Sequence, residues 1–256
     1  MHTTTSSIQG NEHRLLYRVH DDSSAAPLTR KGFTATSPEF HYKGGVIPAE
    51  VWHKEYQGLQ EVDSLVDNKH VLESIAAHVS GGWKGYHSAK AGPSDWISTS
   101  MSFQWAVWEV VRRLVILGRD SVGMSVITAK PYNPYYVGMQ AVWLKAADAI
   151  EALGEKVYLT RKECRALAFA RASSEVVYLG KIFERDIMTH TEWTLENLPR
   201  NLRVSMEAFF KPKKQWVRGG TWVDQLVFKP KDSYSQAAAK IQERREGLGR
   251  LRGGGQ

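Results

Sequence analysis

Three polar residues stand in or beside apolar, strand-like segments that lie far apart in this chain of 256 residues. Arg18 interrupts one apolar run, Ser98 opens a Ser-Thr-Ser cluster after another, and Glu175 stands at the head of a third. A buried arginine needs an anionic partner, since an uncompensated charge is costly to bury. A hydroxyl at a strand end can fix a carboxylate by a hydrogen bond. The three side chains are therefore candidates for binding an anion and for holding a carboxylate at a cleft.

The segments around these residues predict the elements that position them. Residues 14–19 and Trp96-Ile97 favour strands, and apolar residues recur at helical spacing from Phe103 onward. Ser102 is the predicted N-cap of that helix. Glu109 faces Arg113 across one turn, which indicates an exposed helix face. The separations of the three polar residues suit different strands of one sheet.

Each candidate also has a plainer interpretation that the sequence leaves open. Arg18 can be an edge-strand charge whose stem reaches solvent. Ser98 and its two neighbours can be helix caps in a turn. His78, in the last turn of a helix ahead of two glycines, can be a surface residue that interacts with the helix dipole.

The rest of the chain predicts a mixed set of helices and strands. Thr160 and Glu163 have the spacing of a capping box. Helices are expected at about 50–79, 139–153, 160–171 and 234–246. Strands are expected at 124–129 and 176–179, with strand-like segments at Trp216-Val217 and 226–228.

Composition limits the class of protein. The hydrophobic fraction of 42%, with nine Trp and ten Tyr, is enough for a sizeable core. The formal charge of +7 is compatible with nucleic acid, acidic protein or anionic lipid as partners. A single cysteine, Cys164, excludes an intrachain disulfide and a Cys-rich zinc cage, and no metal site is predicted. With no signal-like segment and no long apolar run, we expect an intracellular protein without a membrane span, although a toxin delivered by another route would look the same.

The ordered set of segments resembles the ADP-ribosyltransferases of the Arg-Ser-Glu type. This group includes the catalytic A subunits of cholera toxin and heat-labile enterotoxin and the pierisin-like enzymes. The resemblance covers about residues 14–190. The segments that carry it are Leu16-Tyr17-Arg18 with Asp22-Ser23, Gly32-Phe33, 96–102, 126–129 with Pro131, and 175–182.

The resemblance implies that NAD is the substrate and that the bond between nicotinamide and ribose is cleaved. Glu175 would then be the catalytic carboxylate, close to the positive charge that develops on the ribose. Ser98 would hydrogen-bond Glu175 and the ribose, with Thr99 beside it. Arg18, followed by Val19, would bind an NAD phosphate.

Further roles follow from the same resemblance. Phe103 would stack on nicotinamide, or it belongs to the core of its helix. A histidine on a helix before the Ser-Thr-Ser strand contributes in the enterotoxins, and His78 matches it, with His87 as the competing choice. Ala172 and Ser173 would form the acceptor loop.

The chain departs from the family pattern at Ser173. Family members usually carry Glu or Gln two residues before the catalytic glutamate. A serine is too short to hold an acceptor guanidinium and is a poor general base. The sequence therefore favours NAD hydrolysis, or transfer to an acceptor that other groups position, over transfer to arginine.

These observations predict an α+β fold. Two small, mostly antiparallel sheets would form an ADP-ribosyltransferase-like split β-sandwich with an NAD cleft between them and helices around it. The predicted divisions are a disordered terminus at 1–12, the enzyme domain at 13–192, an extension at 193–246 that adds to the second sheet and ends in a charged helix, and an unstructured tail at 247–256.

The expected function is mono-ADP-ribosylation of a macromolecular acceptor, protein or nucleic acid, by a monomer. Two alternatives stay open. The first is a catalytically degenerate member of the same fold that binds a nucleotide or a partner. The second is a nucleic-acid-binding protein that uses its basic residues between 211 and 256.

Overall fold

The computed structural model describes residues 14–36, 69–82, 93–129, 143–200, 202 and 204–253. The predicted terminus at 1–12, most of the helical region predicted at 50–79, and His87 lie outside these ranges. The described residues form two compact units, each discontinuous in sequence. The first lies within Met1–Leu16, Asp22–Met101 and Val126–Thr189, and the second within Tyr17–Asp21, Ser102–Ser125 and His190–Gln256.

The described ranges contain eight strands in two sheets. The strands are β1 (Arg14–His20), β2 (Gly32–Thr34), β3 (Trp96–Ser100), β4 (Val122–Ala129), β5 (Trp143–Lys145), β6 (Glu175–Leu179), β7 (Lys181–Phe183) and β8 (Ile187–Trp193). The first unit contains residues from all six strands of the larger sheet, whose order is β5-β6-β3-β1-β4-β8. Both β3 and β5 pair antiparallel with β6. A separate two-stranded sheet pairs β2 with β7.

Five α-helices occur within the described ranges. They are α1 (Lys69–Gly82), α2 (Phe103–Val111), α3 (Ala146–Lys156), α4 (Arg161–Ser173) and α5 (Tyr234–Gly253). The predicted capping box starts α4 and is confirmed, because Thr160 accepts from the amide of Glu163 and the Glu163 carboxylate accepts from the amide of Thr160. The helix expected at 139–153 begins only at Ala146, after β5.

Helices α1, α3 and α4 pack with the sheet of the first unit around one apolar core. Leu72 and Ile75 of α1 and Ile150 of α3 are fully buried in it, together with Val177 of β6. Each such side chain contributes on the order of 1.5–3 kcal/mol by leaving water. Trp96 and Ile97 of β3 belong to the same core, which therefore fixes α1, β3 and β6, the three elements that carry the candidate site.

The second unit is organised around α2, which continues as a π-helical segment, Arg112–Ile116. Ser102 is its N-cap, as predicted, because its hydroxyl accepts from the amide of Trp105 at 3.1 Å. The expectation that Glu109 lies on an exposed face is wrong. Glu109 is fully buried, and Arg112 and Arg113 donate hydrogen bonds of 2.7 to 2.8 Å to its carboxylate. Three charge-assisted bonds compensate the desolvation of this carboxylate.

The C-terminal residues differ from the sequence-based prediction. Within the described residues after Trp193, no strand forms, and the β-pairing is limited to an isolated bridge between Phe210 and Leu226. Short 3₁₀ helices occupy the segment instead, so the strands expected near Trp216 and 226–228 and the extension of a sheet are wrong. Runs of apolar residues this short do not separate strands from buried turns.

Two predicted boundaries also change. Helix α5 continues to Gly253, so the tail predicted to be unstructured from residue 247 is helical over most of its length. The division at residue 193 does not match the compact units, because the chain from His190 onward forms one unit with α2. Local composition marks neither boundary, since both depend on tertiary packing.

The α+β class predicted from the sequence is confirmed, with an antiparallel sheet and helices in one chain. The finer assignment to an ADP-ribosyltransferase-like sandwich stays a prediction. Among the helices in the described ranges, none combines the length and apolar character that crossing a membrane requires.

Candidate functional site

Ser98 and Glu175 meet on one face of the sheet in the first unit. Antiparallel pairing sets Ser98 opposite Val177 and Ser100 opposite Glu175, so alternation of side chains brings Ser98 and Glu175 to the same face. The Ser98 hydroxyl donates to Oε1 of Glu175 at 2.6 Å. Glu175 is 2% exposed. The hydrogen bond that the resemblance implies between these residues is present, and it restricts the rotamer of a buried carboxylate.

His78 of α1 approaches the same hydroxyl. Its Nε2 lies 2.9 Å from the Oγ of Ser98. Because the single Ser98 proton is donated to Glu175, the oxygen of Ser98 accepts from His78, and Nε2 of His78 carries a proton. The structure thus brings together three of the predicted site residues, His78, Ser98 and Glu175, in one hydrogen-bonded chain.

Ser94 extends this series of hydrogen bonds. It was not among the site residues predicted from the sequence. Its Oγ lies 2.7 Å from Nδ1 of His78. In the neutral imidazole with Nε2 protonated, Nδ1 is an acceptor, so the Ser94 hydroxyl donates to it. Ser94 is held in turn, because its hydroxyl accepts from the amide of Trp96 at 3.2 Å and its amide donates to Thr36 at 2.8 Å. The one signal in the sequence was a hydroxyl just ahead of the strand, which is too common to single out.

The junction between α4 and β6 sets the position of Glu175. Ser174 ends α4 in the left-handed region with φ of 50°, which is uncommon for a residue other than glycine. Its carbonyl accepts from the amide of Met101 at 3.0 Å, and the hydroxyl of Ser100 donates to the carbonyl of Ser173. The end of β3 therefore holds the start of β6 through two bonds. Strained single residues of this kind cluster at functional sites.

The predicted acceptor loop is not a loop. Ala172 and Ser173 form the last turn of α4. Ser173 is 1% exposed, and its hydroxyl donates to the carbonyl of Phe169 at 2.9 Å. Its hydroxyl is therefore used inside the helix, as serines in helices often use theirs. Ser173 is unsuited to contact an acceptor.

Thr99, expected to contact the substrate next to Ser98, lies on the opposite face of β3. Its hydroxyl donates to the carbonyl of Val176 at 2.8 Å, and the residue is 4% exposed. Neighbouring residues in a strand point to opposite faces. Thr99 therefore stabilises the pairing of β3 with β6 and does not face the Ser98–Glu175 pair.

Arg18 and Val19 belong to the second unit and are both buried on β1. Burial lowers the pKa of Arg18 to about 9, and the positive charge of Arg113 acts in the same direction. The guanidinium is still charged at neutral pH. The convergence of Arg18 on the Ser98–Glu175 pair stays a prediction from the sequence.

Phe103 packs in an aromatic cluster of the second unit. Its ring lies 5.2 Å from that of Tyr17 and 5.7 Å from that of Phe209, with tilted and edge-to-face geometry. Such pairs contribute about 0.5–1.5 kcal/mol beyond burial. This packing favours the helix-core interpretation of Phe103 over stacking on nicotinamide.

The chemistry open to the first unit follows from these contacts. A buried carboxylate with a fixed rotamer can stabilise a cation that forms next to it, and it does so without reorganising during the reaction. Within the residues that the structure describes, no group of three or more His, Cys, Asp or Glu side chains is arranged to hold a metal ion.

Comparison with known proteins adds a family and no activity. No curated protein matches the chain. The family model described as a domain of unknown function, DUF7587, matches residues 11–196, which is more than half of the chain, and the protein therefore belongs to that family.

Proposed function

We propose that the protein is an NAD-dependent ADP-ribosyltransferase that cleaves the bond between nicotinamide and ribose. The observation that carries the proposal is the hydrogen-bonded chain from His78 through Ser98 to Glu175. The resemblance of the sequence to Arg-Ser-Glu enzymes selects the same serine and glutamate independently of their distance in space.

The proposed step needs a fixed negative charge. The bond between C1′ of the ribose and N1 of nicotinamide breaks, and its electron pair leaves with the nicotinamide ring. Positive charge develops on the ribose, and a nucleophile then bonds to C1′ and releases its proton to solvent. Glu175 stabilises the charged ribose more than neutral ribose, which lowers the barrier. Ser98 and His78 are positioning residues that hold the carboxylate.

The surroundings of position 173 support water, in addition to a macromolecule, as an acceptor of ADP-ribose. Ser173 is buried, and its hydroxyl is used within α4. The position therefore supplies no carboxylate for an incoming arginine. We expect NAD hydrolysis to ADP-ribose in the absence of a macromolecule, and transfer only to an acceptor that other groups position.

Arg18 enters the proposal from the resemblance alone. A planar cation with five donors suits a diphosphate. We therefore expect Arg18→Lys to weaken NAD binding while leaving the fold intact, which a thermal-shift titration with NAD measures.

The central experiment follows nicotinamide release from NAD by the full chain. We expect release by the wild type and a loss of about 100-fold or more in Glu175→Gln, which keeps the size of the side chain and removes its charge. Glu155→Gln is the matched control, because Glu155 is an exposed glutamate of α3 in the same unit. Release that is unchanged in Glu175→Gln would contradict the assignment of the catalytic carboxylate.

A catalytically degenerate binding protein is the second candidate, and the serine at position 173 favours it. Calorimetric titration separates the two. Binding of NAD with no release of nicotinamide over hours would replace the enzyme hypothesis with the binding one, and absence of both would reject each of them.

A further inference from the structure

The segment Lys211–Gly220 of the second unit forms an exposed aromatic and basic loop. Trp216 is 45% exposed and Val217 is 53% exposed. These two neighbours form a small exposed apolar patch, which becomes informative only together with the charges around it. His78, Ser98 and Glu175 belong to the first unit, so this loop is separate from that hydrogen-bonded group.

The loop is held in one conformation by its own hydrogen bonds. The indole N–H of Trp216 donates to the carbonyl of Lys211 at 2.9 Å. Gln225, 5% exposed, accepts from the amide of Val217 at 2.8 Å and donates to its carbonyl at 3.0 Å. The ring of Phe210 lies 6.0 Å from that of Trp216 at an angle of 49°. The tryptophan is therefore presented at low entropic cost to a ligand.

Positive charge surrounds this ring. Lys213 and Lys214 precede Trp216 in a 3₁₀ turn, and Arg218 follows it, all three exposed. Within the described residues, none of the three forms an ion pair. The carboxylate of Asp224 is the single one in the sequence from Lys211 to Leu226, and it is used by the amide and hydroxyl of Thr221 at 2.7 and 2.9 Å.

We infer that Lys211–Gly220 is a binding site for single-stranded nucleic acid. Such proteins combine an aromatic face on which a base stacks with cations that contact the adjacent phosphates, and they need no sequence-specific donors. Trp216 supplies the face, and Lys213, Lys214 and Arg218 supply the cations. The loop is less suited to insertion into a lipid surface, because Val217 is the one other apolar residue among the eight at 213–220.

The test is fluorescence anisotropy of the full chain with labelled oligo(dT) and oligo(rU) of about 12 nucleotides. We expect binding that Trp216→Ala weakens by about 10-fold or more, with quenching of tryptophan emission in the wild type. The double variant Lys213→Gln/Lys214→Gln should lower the slope of log affinity against log salt by roughly 1.4, because each phosphate contact contributes about 0.7 for a single strand.

Controls come from the first unit. Tyr158 is fully exposed, and Arg161 and Lys162 are exposed neighbours on α4. Tyr158→Ala and Arg161→Gln/Lys162→Gln match the test variants in type and charge and should leave binding unchanged. Equal losses in test and control variants would overturn the site, as would no binding by the wild type at low salt. Binding to phosphatidylserine vesicles that Trp216→Ala abolishes, with no oligonucleotide binding, would assign the loop to membranes instead.

Discussion

The hydroxyl of Ser98 lies 2.6 Å from Oε1 of Glu175, on a strand paired directly with the one that carries the glutamate. In Ser98→Ala the carboxylate keeps its charge and loses this restraint. We expect kcat for nicotinamide release to fall by about 10- to 100-fold with a small change in KM, because misplacement of a reacting group costs rate more than binding. Steady-state kinetics test this. A raised KM at constant kcat would instead indicate that Ser98 binds the ground state.

Ser94 donates to Nδ1 of the Nε2-protonated His78, so its removal should act through that ring. In Ser94→Ala, Nδ1 of His78 loses the hydroxyl that lies 2.7 Å away. We expect a loss in kcat of about 10-fold, at the low end of the effect of removing a hydrogen-bond partner that orients a histidine. Ser94→Thr keeps the donor and should restore most of the rate. Nitrogen NMR of the wild type should find the proton on Nε2, and finding it on Nδ1 would refute the proposed direction of the chain.

Glu109 neutralises two arginines inside the second unit. The side chains of Arg112 and Arg113 are 27% and 19% exposed, and the Glu109 side chain has no exposure. Removal of one partner of a buried ion pair costs about 3–5 kcal/mol. Since both arginines retain some contact with water, we expect Glu109→Ala to lower the free energy of unfolding by about 3 kcal/mol in urea titrations. Exposed Glu155→Ala should change it by less than about 0.5 kcal/mol.

His20 makes the second unit sensitive to acid. Burial, with the positive charges of Arg18, His190 and Arg113, lowers the pKa of His20 to about 3, although Asp21 opposes this shift. An unfolded histidine titrates near 6.5, so the unfolded chain binds more protons between these values and stability falls as pH drops through that window. We expect a loss of about 2 kcal/mol from pH 7 to pH 5.

Denaturation midpoints at the two pH values measure this loss of stability. His20→Gln should make stability depend less on pH over the same range. The pKa of His190 is lowered by burial as well, so some slope should persist in that variant. An unchanged slope in His20→Gln would locate the acid sensitivity elsewhere.

Gly123 leaves room for the two histidine rings, which stack at 5.2 Å. A Cβ at this position would lie 2.5 Å from Cε1 of His20 and 2.8 Å from Cε1 of His190. Gly123→Ala should therefore destabilise the protein by about 1–3 kcal/mol, as other overpacked substitutions do. In contrast, Gly247→Ala meets no atom within 4 Å in helix α5 and should stabilise by about 0.5–1 kcal/mol. Thermal unfolding of both variants checks the opposite signs.

Local patterns in the sequence predicted local structure well. The N-cap at Ser102 and the capping box at Thr160 depend only on residues within one turn, and both are present. The contact of Ser98 with Glu175 was within reach because the resemblance paired these residues, and their separation suited different strands of one sheet. The burial of Glu109 could not be predicted from the sequence, since the same spacing to Arg113 occurs on exposed and buried helix faces alike.

Ser94 and Ser173 show most clearly what sequence patterns cannot predict, which is the partner of a serine hydroxyl. Whether a serine faces a neighbouring histidine or its own helix depends on backbone direction at one position, which no composition or periodicity encodes. Ser94 bonds to His78, and Ser173 bonds back to Phe169. Both outcomes were decided by how α1 and α4 pack on the sheet.

The antiparallel ladder between β3 and β6 makes the site intolerant of small changes in chain length. Deletion of Val176, or insertion of one residue between Glu175 and Val177, would turn Glu175 to the side of the sheet that Thr99 occupies, because side chains alternate along a strand. Length variation in the turn between α3 and α4, at 157–160, would leave this pairing untouched. Natural variants of the family should therefore differ in length at that turn and keep a constant count of residues between the glutamate and the rest of β6.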